Sequence, residues 1–367
     1  MSLEDLSAGM PWTAQMATIA LKDVVESNPV DRRDLLLLGG TALLTPLTEW
    51  ATIAPELTRG IQGGRVGVSM VARIEASVDT LRFLDAEIGS GSLIGIARPQ
   101  LAMIVRVLGN GRYDTKAGRR LYRAASDLAG LLGWFLVDNG RHTWAQQYFL
   151  AALRASHVAD DPLIGAAALS FMAVQSYSVA DPRDAPRLAQ AARDRIQQCR
   201  VPLVESMLLI REARGLAKIG DRKACEQVLS QAANRLAKGP TSRDPGWLYW
   251  MSEGEFHGQA GSCFMQLERY DKAVQHFQKA FDAYSAFCVR DRALCLTRKA
   301  TALVRLNKSD EGHAEALKAV DLAAQINSAR LEDHMRIFHA ALVERGPIDV
   351  AEDFRERAFR LLGLPMR

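Results

Sequence analysis

The sequence predicts an all-α fold, a superhelix of antiparallel helix pairs with an N-terminal helical extension. Three observations lead there. Apolar residues recur at helical spacing through most of the 367 residues, and β-branched residues alternate nowhere over a useful length. Gly, Asp and Pro cut the periodic stretches into segments with short connections, as antiparallel pairs require. A set of small residues then returns at fixed offsets with a step near forty.

Taken in order, residues 1–111 form the extension, with helices over 13–26, 64–87 and 96–108 and a close at Gly109-Asn110-Gly111. The first pair, 115–138 and 142–158, carries Gly133, Ala145, Phe149 and Ala152. The second, 162–178 and 183–198, carries Ala173, Ala185, Ala189 and Ala192. The third, 201–218 and 222–237, carries Ala213, Cys225, Leu229 and Ala232. A loop from Lys238 to Gly246 lengthens the next step to 48. The fourth pair, 246–267 and 270–286, carries Gly261, Ala273, Phe277 and Ala280. The fifth, 289–306 and 310–326, carries Ala300, Gly312, Ala316 and Ala319. A weaker sixth set, His339, Ala351, Arg355 and Ala358, falls on 328–345 and 348–362. The repeats occupy 112–346, and 347–367 reads as a charged capping helix.

This pattern resembles the tetratricopeptide repeat, and the resemblance implies that the superhelix is right-handed. Small residues let the two helices of a pair approach, and a larger residue such as Phe277 fills the groove between neighbouring pairs. The fourth copy matches best, through Gln259-Ala260-Gly261 and Glu268-Arg269-Tyr270-Asp271-Lys272-Ala273. The step near forty exceeds the usual 34, and His157 stands where a closing proline belongs.

Two stretches resemble something narrower. Ala129–Trp134, Asp138–Arg141 and Ala145–Phe149 form one; Pro245–Trp250, Glu253, Glu255 and Gln259–Cys263 form the other. With Asp31-Arg32-Arg33-Asp34-Leu35 they resemble the sensor region of actinobacterial XRE-type transcriptional regulators with tetratricopeptide repeats. The resemblance implies an effector-responsive regulator. The family's helix-turn-helix reader would precede Trp12, where only eleven residues stand, so no direct DNA binding is expected from this chain.

Composition narrows the classes. Apolar residues make up 48%, enough for a large core, and a formal charge of +4 does not announce a nucleic-acid binder. The five cysteines contain no C-x-x-C pair and read as reduced, buried thiols of a cytoplasmic protein. No apolar run reaches the ~18 residues of a membrane helix, so no membrane partner is expected. Arg32-Arg33 before Leu35–Leu38 and Ala51–Ala54 imitates an export signal, but flanking Asp31 and Asp34 favour a short buried helix. Leu35–Leu38 with Val24, Val25 and the Trp12 helix reads either as a homodimer face or as surface buried on the repeats.

Catalytic and metal motifs are missing. None of the seven histidines makes H-E-x-x-H, and there is no G-x-S-x-G elbow. Gly89–Gly95 is spaced wrongly for a phosphate loop and reads as a linker. No cofactor, metal or enzymatic activity is expected. The functional surface of such a superhelix is its concave face. The repeat frame points Trp134, Asp138, Tyr177, Arg214, Lys218, Glu255, Arg298 and Arg305 there, a ligand-binding set with aromatics toward one end and cations toward the other. The competing reading makes Trp134, Tyr177, Trp247 and Trp250 packing residues and the arginines solvated. The expectation is a non-catalytic regulatory protein whose groove takes a peptide or small effector and signals to a partner protein or oligomeric state. The alternative is an interaction scaffold without an effector.

Overall fold

The computed structural model describes residues 10–26, 37, 40, 46–47, 49–50, 60–61, 64–88, 90–324, 328–345 and 347–363. Among them are fifteen α-helices. Helices α1 (Ala14–Glu26), α2 (Val68–Ile88) and α3 (Ile94–Asn110) precede six pairs. The pairs are α4 (Thr115–Asp138) with α5 (His142–Ala159), α6 (Pro162–Val179) with α7 (Asp184–Ile196), and α8 (Pro202–Lys218) with α9 (Arg222–Leu236). Then follow α10 (Glu253–Gln266) with α11 (Tyr270–Ala283), α12 (Val289–Arg305) with α13 (Ser309–Ala323), and α14 (Ala329–Arg345) with α15 (Ile348–Leu362). A short antiparallel ladder, unsignalled in the sequence, sets β1 (Gly60–Ile61) against β2 (Arg112–Tyr113), with Gly60 opposite Tyr113.

Caps explain several helix starts. The side chains of Asp114, Asp161, Asp221 and Ser252 accept hydrogen bonds from backbone N–H groups of the first turns of α4, α6, α8's partner α9, and α10. The turns inside pairs also repeat: Gly140, Gly220, Glu268 and Asn307 all adopt left-handed φ, each seven residues after Gly133, Ala213, Gly261 and Ala300. That conformation reverses the chain in one residue, which keeps the connection short.

The small-residue offsets are where the helices of a pair meet. A Cβ on Gly133 would overlap the Phe149 ring, and one on Gly261 would lie 2.7 Å from the Phe277 ring. A Cβ on Gly312 would lie 2.9 Å from the Ala300 carbonyl oxygen. Ala145, Ala173, Ala213, Ala273 and Ala300 are fully buried, as are Phe149 and Phe277. Arg355, at the same offset in α15, is exposed. Each pair's first helix lies against the first helix of the next, giving an inner wall of α4, α6, α8, α10, α12 and α14. One apolar core runs from Trp12 to Ala302, and a second, sharing α12, continues to Ala358.

The structure corrects the helix expected over 246–267. Gly246–Leu248 is a single 3₁₀ turn and α10 begins only at Glu253. Pro245 and Gly246 interrupt the pattern, and the Ser252 hydroxyl restarts the helix by accepting from Glu255 N–H at 3.2 Å. The longer step of the repeat is spent on this crossing.

Trp12 and Val24 are buried on the repeats. Trp12 Nε1 donates to Glu49 at 2.6 Å, the Arg154 guanidinium lies 4.7 Å from its ring, and Tyr148 donates to the Val24 carbonyl at 2.7 Å. Residues 31–36, 38 and 51–54, which carry the export-like segment, lie outside the described residues. The stretch from Ser90 to Leu93 is a linker into α3, with Ser90 donating to Asp138 at 3.0 Å, while Ile94 and Gly95, expected in the linker, already belong to the helix. All five cysteines are free; Cys225, Cys263 and Cys295 are buried, while Cys199 and Cys288 are half-buried, against expectation. Helix α6, 18 residues with mean hydropathy 1.3, is apolar and long enough to cross a membrane, but two-thirds of it is buried among α4, α5, α7 and α8.

Candidate functional site

The inner wall brings together side chains that are far apart in sequence. On α4, Trp134 stacks on Phe171 of α6, ring centres 5.4 Å apart. The Arg330 guanidinium of α14 lies 5.5 Å from the Trp134 ring and its Nε lies 3.8 Å from the Asp138 carboxylate. The sixth pair therefore touches the first across the concavity. Two further contacts close the array. Tyr249 packs on Phe83 of α2 at 5.1 Å and donates to the Arg82 carbonyl, while Arg290 of α12 donates to the Asp85 carbonyl at 3.4 Å. Arg82 is itself held by Asp79 and Asp127.

Between these contacts lies a group of cations. The Arg214 guanidinium of α8 sits 5.0 Å from the Tyr177 ring. Arg298 of α12 donates through Nε and Nη2 to His334 Nε2 at 3.2 and 3.0 Å, and through Nη1 to the Ser262 hydroxyl at 3.4 Å. The Arg298 side chain is half-buried. Burial, then the nearby Arg330 and Arg214, push its pKa down to about 10. Burial and the same arginines hold His334 far below the ordinary histidine range, so its Nε2 accepts as neutral imidazole. Burial also opposes the charge of Arg330, but Asp138, Asp291, Glu255 and Asp85 outweigh it and raise its pKa. Asp85 is lifted to about 6, chiefly by burial, with Arg290 opposing.

Of the eight residues expected on this face, six meet there: Trp134, Asp138, Tyr177, Arg214, Glu255 and Arg298. Glu255 accepts from Tyr284 at 3.0 Å and from Gln259 at 3.1 Å, and lies 3.7 Å from Arg211. Arg211 also donates to Ser170 at 3.1 Å and covers Trp250. Lys218 is exposed at the end of α8. Arg305 is tied to Glu344 of α14 at 2.9 Å. Aromatics and cations are not at opposite ends as expected: the Trp134 and Tyr177 rings each lie beneath an arginine. Arg330, His334 and Arg211 were missed. Arg211 stands two residues before Ala213, the offset that Arg298 holds before Ala300, and that signal was available in the repeat.

A histidine pair lies elsewhere, with His257 Nδ1 and His276 Nδ1 3.0 Å apart between α10 and α11. Burial, then His257 and two lysines, lower His276 to about 4. A histidine whose folded pKa is depressed contributes stability above its unfolded pKa of ~6.5 that is lost as pH falls toward the folded value. Melting temperature should therefore fall between pH 6.5 and 4, and His276→Gln should flatten that fall by up to about 3 kcal/mol. Equal slopes in pH-dependent melts of the two proteins would contradict this. Among the described residues no cluster of three or more His, Cys, Asp or Glu side chains is placed to hold a metal.

Residues 254–287, which are α10, α11 and their flanks, match the tetratricopeptide repeat family. No curated protein matches the chain. The fold is an all-α, tetratricopeptide-like superhelix, an architecture that is typically non-enzymatic and serves protein and peptide interaction.

Proposed function

We propose that this chain is a non-catalytic regulatory receptor acting in the cytoplasm. Its concave face takes a peptide or small effector, and occupancy alters the contact between α14 and α4, which in turn alters a partner contact or oligomeric state. One observation carries the reading: Arg214, Arg298 and Arg330, from three different pairs, converge beside Trp134 and Tyr177. Local packing gives no reason for three guanidiniums to meet, whereas recognition of an acidic group does. The likeness of residues 129–149 and 245–263 to actinobacterial regulators supports transcriptional regulation as the output. The repeat match equally favours an interaction scaffold with no effector.

Native mass spectrometry of tagged protein isolated gently from its own host separates the two. The receptor reading expects a co-purifying mass of low molecular weight that is lost in an Arg214→Glu or Arg298→Glu variant. A stoichiometric protein partner with an empty groove would make the chain a scaffold.

A further inference from the structure

Resting on the receptor reading, we propose that the concave face binds a small free oxyanion, the carboxylate or phosphate of a low-molecular-weight ligand. It is gripped by Arg214, Arg298 and Arg330, with Ser262 and His334 beside them.

The charges there are incompletely matched. Among the described residues no carboxylate lies within 4.0 Å of Arg214 or Arg298. Arg298 uses two of its nitrogens on a neutral imidazole and reaches a hydroxyl with the third. The Nε atom of Arg214 is buried without a hydrogen-bond partner, and that of Arg330, ion-paired with Asp138 at 3.8 Å, makes no hydrogen bond. Trp134 and Tyr177 fix the guanidinium planes without neutralising them. Guanidiniums held this close repel one another, and that repulsion adds to burial, the larger cause, in making Arg298 release its proton more readily than usual. An oxyanion among them removes that repulsion and offers the paired acceptor oxygens that a guanidinium fork fits.

Two observations fix the size. The Arg330–Asp138 contact joins the last pair to the first, the Tyr249–Arg82 contact ties the crossing before α10 to α2, and a peptide lying along the groove would have to part them. The carboxylates of Asp138 and Glu255 stand next to the arginines, which favours one compact anion over a polyanion.

The test is isothermal titration of the full chain with inorganic phosphate as probe, at ionic strength held constant with sodium chloride. One saturable site is expected. Arg214→Gln and Arg298→Gln should each weaken it about tenfold or more. Arg336→Gln should leave it unchanged, because Arg336 is bound to Glu332 and Asp333 on the outer surface. Should a glutamine variant fail to fold, Arg298→Lys keeps the charge but loses the fork, and should still weaken binding. Absence of saturable phosphate binding to the wild type, binding undiminished in both glutamine variants, or saturable binding of an acidic peptide but not of phosphate would each overturn the proposal. The two readings separate cleanly. Phosphate held by the three arginines together with a co-purifying protein partner sinks the receptor and keeps the anion site. A co-purifying small molecule with no phosphate binding does the reverse.

Discussion

Gly133→Ala should lower stability by about 1–3 kcal/mol, while Gly130→Ala on the same helix should raise it by up to about 1 kcal/mol. In an ordinary helix interior both changes help, since alanine restricts the unfolded chain and favours the helix. At Gly130 a new Cβ meets nothing within 4 Å, so the ordinary gain is kept. At Gly133 it meets the ring of Phe149, which is fully buried, lies 5.7 Å from Phe171 and has nowhere to retreat. Urea melts of the two variants read the sign directly. A companion pair makes the cause visible: with Phe149→Leu already in place, Gly133→Ala should cost less than in the wild type. If both alanines stabilise, the close approach of α4 and α5 is not what the small residue is for.

Arg330→Glu should open the array. It replaces the partner of Asp138 with a fifth carboxylate beside Asp138, Asp291, Glu255 and Asp85. Breaking a buried pair costs about 3–5 kcal/mol, and the lower end applies because Arg330 is 32% exposed. The helices themselves gain and lose little, so circular dichroism should be unchanged. The radius of gyration from small-angle scattering should rise as α14 leaves α4, and the melting temperature should fall. An unchanged radius would mean that the Tyr249–Phe83 and Arg290–Asp85 contacts alone hold the ends together.

The helix pairs were legible because their signal is local: Gly133 and Phe149, or Gly261 and Phe277, meet within one pair and need no knowledge of the rest. The same frame found Trp134, Tyr177, Arg214 and Arg298, since a position on a helix face follows from helical spacing. It did not find the closure. Whether α14 returns to α4 depends on small rotations between successive pairs, accumulated over five junctions, and no single residue encodes that sum. Arg330 and His334 precede His339 by nine and five positions, off the offsets the frame used, and reach the concavity because curvature carries the start of α14 onto α4. The break before α10 was missed for a different reason. Trp247 and Leu248 are apolar and buried, so they continued the pattern while Pro245 and Ser252 ended it.

Helix α6 has almost no polar side, and it is sheltered by α4 and α5 before it and by α7 and α8 after it. A chain made from its N-terminus acquires these shelters in turn, with α8 the last. Ala213, at the centre of α8, follows Ala173 of α6 by 40 residues, which at ribosomal rates of roughly 5–20 residues per second is about 2–8 s. For that interval the most lipid-like segment of the protein stands with one flank uncovered. The order of synthesis thus makes α6 the stretch with most need of a holding chaperone, and slowed translation between residues 180 and 213 the condition under which the nascent protein is most prone to aggregate.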